Sequence, residues 1–116
     1  MELNVGDYVR TKEFGINRVK WFDNGEPILE NGFTALQSSG YKSNPKIIDL
    51  IEVGDYVNDY YVEDITNTGE ELVLHIITGS NYFQSPFLYN EDIKSVLTHE
   101  QFEAMKYVVG DTNVKD

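Results

Sequence analysis

Cysteine is absent from this 116-residue chain, which excludes disulfide staples and thiolate metal sites. Basic residues are scarce, nine Lys and Arg against twenty Asp and Glu. Affinity for phosphate backbones and for anionic membranes comes from Lys and Arg, so direct binding to nucleic acid or to a membrane surface is disfavoured. Long apolar runs are missing, and no segment is expected to span a bilayer. No basic stretch leads into an apolar one, so no secretory signal is expected and the cytosol is the expected compartment. The signatures of catalysis are lacking as well: no G-x-S-x-G, no G-x-x-x-x-G-K-[ST] and no G-x-G-x-x-G occurs. The chain is therefore expected to be no enzyme and to hold no cofactor. His75 and His99 have no second His or Cys nearby in the sequence, so no metal site is expected from them.

What the chain does have is acid, aromatic rings and a repeat. Its net charge of −11 is unevenly spread: residues 1–47 hold six bases and six acids, while residues 48–116 hold three bases and fourteen acids. The whole excess lies in the second part, and such a charge steers basic partners toward it. Eight Tyr and six Phe suit strands better than helices.

VGDYV stands at Val5–Val9 and again at Val53–Val57. Hydrophobic-Gly-Asp-x-Val suits the start of a strand after a tight turn, because Gly accepts a conformation that side chains resist and Asp bonds nearby backbone. After the first copy, Arg18 to Trp21 alternates, with Arg18 and Lys20 on one face and Trp21 on the other, toward the core. Asp23-Asn24-Gly25-Glu26 predicts a two-residue hairpin turn. Pro27 makes the returning strand an edge. Asn31–Lys46 is rich in Gly, Ser, Asn and Pro without periodicity and reads as a linker or surface loop.

Ile47–Val57 reads as strand, turn, strand. Tyr60–Ile65 follows, then a turn, then Glu71–Ile77, whose two faces are both apolar enough for a strand covered twice. The aromatic stretch broken by Pro86 reads as a bent or edge strand. Thr98 and Gln101 form a capping box, with Leu97 and Phe102 as a hydrophobic staple, so a short helix is expected over 98–107. The predicted fold class is mainly β (α+β): two small SH3-like or partial-barrel β units with a short C-terminal helix. The units span 1–46 and 47–110, with a flexible tail at 111–116.

Two sets of residues suggest function. Asp59, Glu63, Asp64, Glu70, Glu71, Glu91 and Asp92 are candidate protein-binding carboxylates, able to imitate the charge of a phosphate backbone on a fixed β scaffold. Arg18, Lys20 and Trp21 are the single basic-aromatic cluster and an alternative nucleic-acid contact.

The stretches Ile47–Asn58 (IIDLIEVGDYVN) and Asp92–Tyr107 (DIKSVLTHEQFEAMKY) resemble small proteins encoded by phages and mobile elements of Gram-positive bacteria. Asp59 stands where that family often has Gly after the Asn, so the turn there is open to difference. The resemblance implies a setting, a phage or prophage accessory protein in the bacterial cytosol. With the acidity and the missing catalytic motifs, it suggests an inhibitor that binds a basic host nucleic-acid enzyme, such as a CRISPR-associated nuclease. The alternative is a structural or adaptor module of a phage. Nothing in the sequence sets the oligomeric state.

Overall fold

Both copies of VGDYV build the same turn in the computed structural model of this chain, which describes residues 3–80 and 83–105. The Asp7 and Asp55 amides donate to the carbonyls of Asn4 (3.0 Å) and Glu52 (3.1 Å), closing two four-residue turns. Gly6 and Gly54 take the third place with φ of +94° and +101°, a conformation open to Gly and strained for other residues. Asp7 Oδ2 accepts the Asn4 amide at 2.9 Å, and Asp55 Oδ2 accepts the Glu52 amide at 2.8 Å. Each turn is then held to a neighbouring strand in the same way. Gly6 donates to the Val19 carbonyl and Gly54 to the Val62 carbonyl, both at 2.9 Å. The first Val of each copy is exposed, and the last, Val9 or Val57, is fully buried. The repeated pentapeptide is one turn-and-strand device used twice.

The first copy opens an antiparallel sheet of four strands, β1 (Tyr8–Thr11), β2 (Gly15–Asp23), β3 (Glu26–Leu29) and β4 (Tyr41–Asn44), in the order β3-β2-β1-β4. Asn24 and Gly25 have φ of +53° and +85°, as a two-residue hairpin requires. Pro27 lies on β3, an edge strand. Val9, Val19, Leu29 and Ala35 form the core.

Two expectations fail here. Trp21 is not in the core but 49% exposed. A bulge at Lys20 falls between the pairs Val19↔Leu29 and Trp21↔Ile28. One extra residue reverses which side chains face inward, so Phe22 joins Val19 against the core instead. Asn31–Lys46 is also no mere linker. Thr34 caps a 3-10 turn at Ala35–Gln37, and β4 pairs with β1 along Tyr8↔Asn44 to Thr11↔Tyr41. An edge strand takes its order from backbone bonds to its neighbour, so its own residues can stay polar.

The second sheet has five antiparallel strands, β5 (Tyr56–Val57), β6 (Tyr60–Asn67), β7 (Leu72–Ile77), β8 (Phe87–Leu88) and β9 (Val96–Leu97), in the order β8-β7-β6-β5-β9. The aromatic stretch after Pro86 supplies the edge strand β8, as expected. Ile47–Leu50 is a 3-10 turn rather than a strand. Its three-residue period puts Ile48 and Ile51 on one side, and both enter the second core with Val57, Val62, Leu74 and Ile76. β7 is covered on its second face only in part: Leu74 and Ile76 are buried on one face, and on the other Val73 is buried while Ile77 is 50% exposed.

Helix α1 (His99–Met105) starts at the capping box. Thr98 Oγ1 accepts the Gln101 amide at 3.2 Å, and Gln101 Oε1 accepts the Thr98 amide at 3.1 Å. Phe102 rests on the Tyr56 ring at 5.3 Å between centroids. The last residues of the expected helix, 106–107, and the expected tail at 111–116 lie outside the described residues. The protein is thus mainly β, two antiparallel sheets with one short helix, and neither sheet closes into a barrel. Among the described residues no helix is long and apolar enough to cross a membrane.

Candidate functional site

Arg10 follows the first VGDYV and alternates with buried Val9, so its side chain leaves the opposite face of the first sheet. Ile16, its register partner on β2, packs against the second core. Arg10 therefore reaches into the second unit, where it meets the Asp of the second VGDYV. Its Nη1 is 2.6 Å from Asp55 Oδ2 and its Nη2 is 3.0 Å from Asp55 Oδ1. Nη1 also donates to the Leu50 carbonyl at 2.9 Å, and Nη2 to Glu100 at 2.7 Å. Asp55 is fully buried. It also accepts the amides of Glu52 (2.8 Å) and His99 (2.9 Å), so the turn, the helix start and the first sheet meet on one carboxylate. Two-pronged guanidinium–carboxylate pairing of this kind fixes geometry as well as charge.

Around this pair lie Glu52, His99 and Glu100. Burial disfavours a charged Arg10, but the hydrogen bond and charge of Asp55 outweigh it and push the guanidinium's pKa further up. Burial likewise raises the Glu52 carboxyl. The His99 hydrogen bond and the charges of Arg10 and Lys42 outweigh that and hold it below the usual carboxylate range. A His99 ring nitrogen and one oxygen each from Glu52 and Glu100 lie within 4.8 Å of one another, a nitrogen-and-oxygen set that divalent metals accept. These atoms already have partners. Glu52 is 2.7 Å from His99 Nε2, 3.5 Å from Arg10 and 3.3 Å from Lys42, and Glu100 is 2.7 Å from Arg10. The cluster acts as an ion-paired joint between the two units, and Arg10 supplies the positive charge that a metal would bring.

The seven acids singled out from the sequence are all exposed. Among the described residues none of them forms an ion pair with a Lys, Arg or His. Asp64 and Asp92 accept backbone amides from Ile65 and Tyr89, both at 2.9 Å, which leaves their charge in place. The structure divides the seven into groups. Glu70, Glu71 and Glu91 line a cleft of about 510 Å³ together with Asp49 and one cation, Lys46. Asp59 sits in the β5–β6 turn at the other end of β6, an eight-residue strand that spans about 26 Å at strand rise. Asp92 lies near it, since the Asp92 carbonyl accepts Asn58 Nδ2 at 2.9 Å, and as the neighbour of Glu91 in the 3-10 turn Asn90–Asp92 it links this group to the cleft. Glu63 and Asp64 sit between these ends, at a β6 bulge. Sequence reasoning passed over Asp49, which belongs to a 3-10 turn read as a strand.

The basic cluster does not converge either. Arg18, Lys20 and Trp21 are all exposed. The Arg18 guanidinium lies over the Tyr8 ring at 5.5 Å, and the bulge at Lys20 turns Trp21 off the core face. Compared with known proteins, the chain matches no family, no curated protein and no solved structure.

Proposed function

We propose that this chain is a non-enzymatic binding protein that engages a basic surface on a partner protein, of the kind that nucleic-acid enzymes present to phosphates. One observation carries the reading: the seven acids of the second unit stand exposed, Glu63 and Asp64 on β6 and the other five in the turns around it, without a paired cation among the described residues. Their groups are spread along the roughly 26 Å of β6, so the negative field is extended rather than a single point. Such a field accelerates association with a basic partner and makes it sensitive to salt. A basic channel so occupied is closed to nucleic acid. The resemblance to phage and mobile-element proteins makes a host enzyme, a CRISPR-associated nuclease among them, the natural target, and the bacterial cytosol the place.

The test is capture from a Gram-positive lysate with the tagged chain and a salt gradient, beside the variant Asp59→Lys/Glu63→Lys/Asp64→Lys. The expected result is a basic nucleic-acid-binding protein held by the wild type, released at moderate salt and not held by the variant. A partner that ignores both salt and charge reversal would shift the function to an adaptor module, which the exposed Ile77 and Met105 would then serve.

A further inference from the structure

The second sheet has one face on its core; the other is open around Tyr61 and Ile77, while Val73, farther along β7, is buried. Directly opposed residues on neighbouring strands share a face, and the pairs Tyr56↔Tyr61 and Tyr61↔Ile77 put these three on the open side. The stripe continues in both directions. His75, two residues from Ile77, carries the Phe87 ring at 5.1 Å. Tyr56 meets the Tyr61 ring at 5.5 Å and the Phe102 ring at 5.3 Å, and one helical turn beyond Phe102 on α1, Met105 is 68% exposed. Single exposed apolar residues are ordinary, but a row joined by contacts from Phe87 on β8 to Phe102 on α1 is the mark of an interaction surface. Aromatics and Met are the residues that interface centres favour.

We infer that this open face is the docking surface and that its occupant is a basic amphipathic helix of the partner protein. The inference rests on the reading above that the partner is basic. Charge selects the occupant. Glu63 shares the face with Tyr61, two positions along β6, and Asp64 pairs with His75; both acids are exposed. From Ile47 to Met105 the sequence holds a single Lys or Arg, Lys94. Lys and Arg beside the apolar stripe of the incoming helix complement these acids. A second copy of the chain would bring acid against acid, and an anionic lipid surface would be repelled. Length fits too. Strands lie about 4.8 Å apart, so the order β8-β7-β6-β5-β9 spans about 19 Å. A helix of about 13 residues covers that length with apolar residues on one side.

The probe is a fluorescent Leu/Lys amphipathic peptide of about 14 residues, with a Leu/Glu peptide of the same pattern as control, titrated against the full chain by anisotropy. The Leu/Lys peptide is expected to bind at least tenfold tighter than the control. Tyr61→Ser/Ile77→Ser should weaken it at least tenfold, and so should Met105→Ser/Glu63→Lys, which alters the face through other exposed side chains. Glu70→Lys/Glu71→Lys/Glu91→Lys, at the remote cleft, should change it less than threefold. Circular dichroism shows that each variant is folded. Loss only in the cleft variant would overturn the docking surface and keep the basic-partner reading. Equal binding of both peptides, or of all variants, would overturn both. A wild-type dimer in sedimentation that Tyr61→Ser/Ile77→Ser dissolves would show a second copy on the face and overturn the inference.

Discussion

Arg10 and Asp55 show how little of a residue's role lies in its immediate neighbours. Each side chain is almost wholly buried, at 3% and 0% exposure, and each is charged. Removing one partner leaves the other charge buried without its counter-ion, which typically costs about 3–5 kcal/mol. Arg10→Met is expected to lose that much in urea unfolding, and Asp55→Ala a similar amount. The double variant should lose clearly less than the two together, because the second change removes a charge already stranded. Additive losses would mean that the pair does not act as a unit. Asp59 is a second residue-scale case. It holds φ of +71° after Asn58 at +53°, the left-handed pair of a tight hairpin turn. Asp59→Gly is expected to relieve strain and raise stability by about 0.5–1 kcal/mol; a loss would show that the Asp side chain holds the turn.

At the scale of elements, what could be read in advance was what local chemistry decides. Asn24-Gly25 accepts left-handed backbone, Pro27 cannot serve a central strand, and Thr98 with Gln101 bonds its own helix start. Thr98 is fully buried and its hydroxyl accepts the Gln101 amide. Thr98→Ala should therefore cost about 1 kcal/mol, read as a lower unfolding midpoint, and Thr98→Ser should recover most of it. Elements set by distant partners could not be read. The bulge at Lys20 has no residue signature, so simple alternation assigns Trp21 to the core, where the structure does not place it. β4 is polar and takes its order from β1. Ile47–Leu50 carries apolar residues at a spacing that serves strand and 3-10 turn alike. The candidate site divides the same way. The seven acids are exposed, as carboxylates without cations nearby in the chain tend to be. Their grouping depends on which ends of β6 the turns reach, and the pairing of Arg10 with Asp55 crosses 45 positions. The open part of the second sheet was not legible: β7, apolar on both sides, reads as covered twice, whereas the structure buries Val73 and leaves Ile77 exposed on the second side.

At the scale of the molecule, the repeat explains why two small sheets behave as one body. Alone, the units would be about 45 and 65 residues, sizes at which burial barely offsets the lost chain entropy. The repeat gives each unit the same strand start but different neighbours. The first copy is followed by Arg10, and the second holds the carboxylate that receives it. Asp55 also takes the amides of the Glu52 turn and of His99, so one ion pair ties together the first sheet, the second sheet and α1. Unfolding of the wild type should accordingly be a single transition. The single Trp, Trp21, reports on the first sheet, while circular dichroism reports on both. In the wild type the two signals are expected to share one urea midpoint. In Arg10→Met the joint is cut while Val9 and Val57 keep their separate cores, so the Trp21 midpoint should separate from that of the whole. Coincident midpoints in the variant would place the coupling elsewhere, in the contact of Ile16 with the second core, and Ile16→Ala would then be the change that separates them.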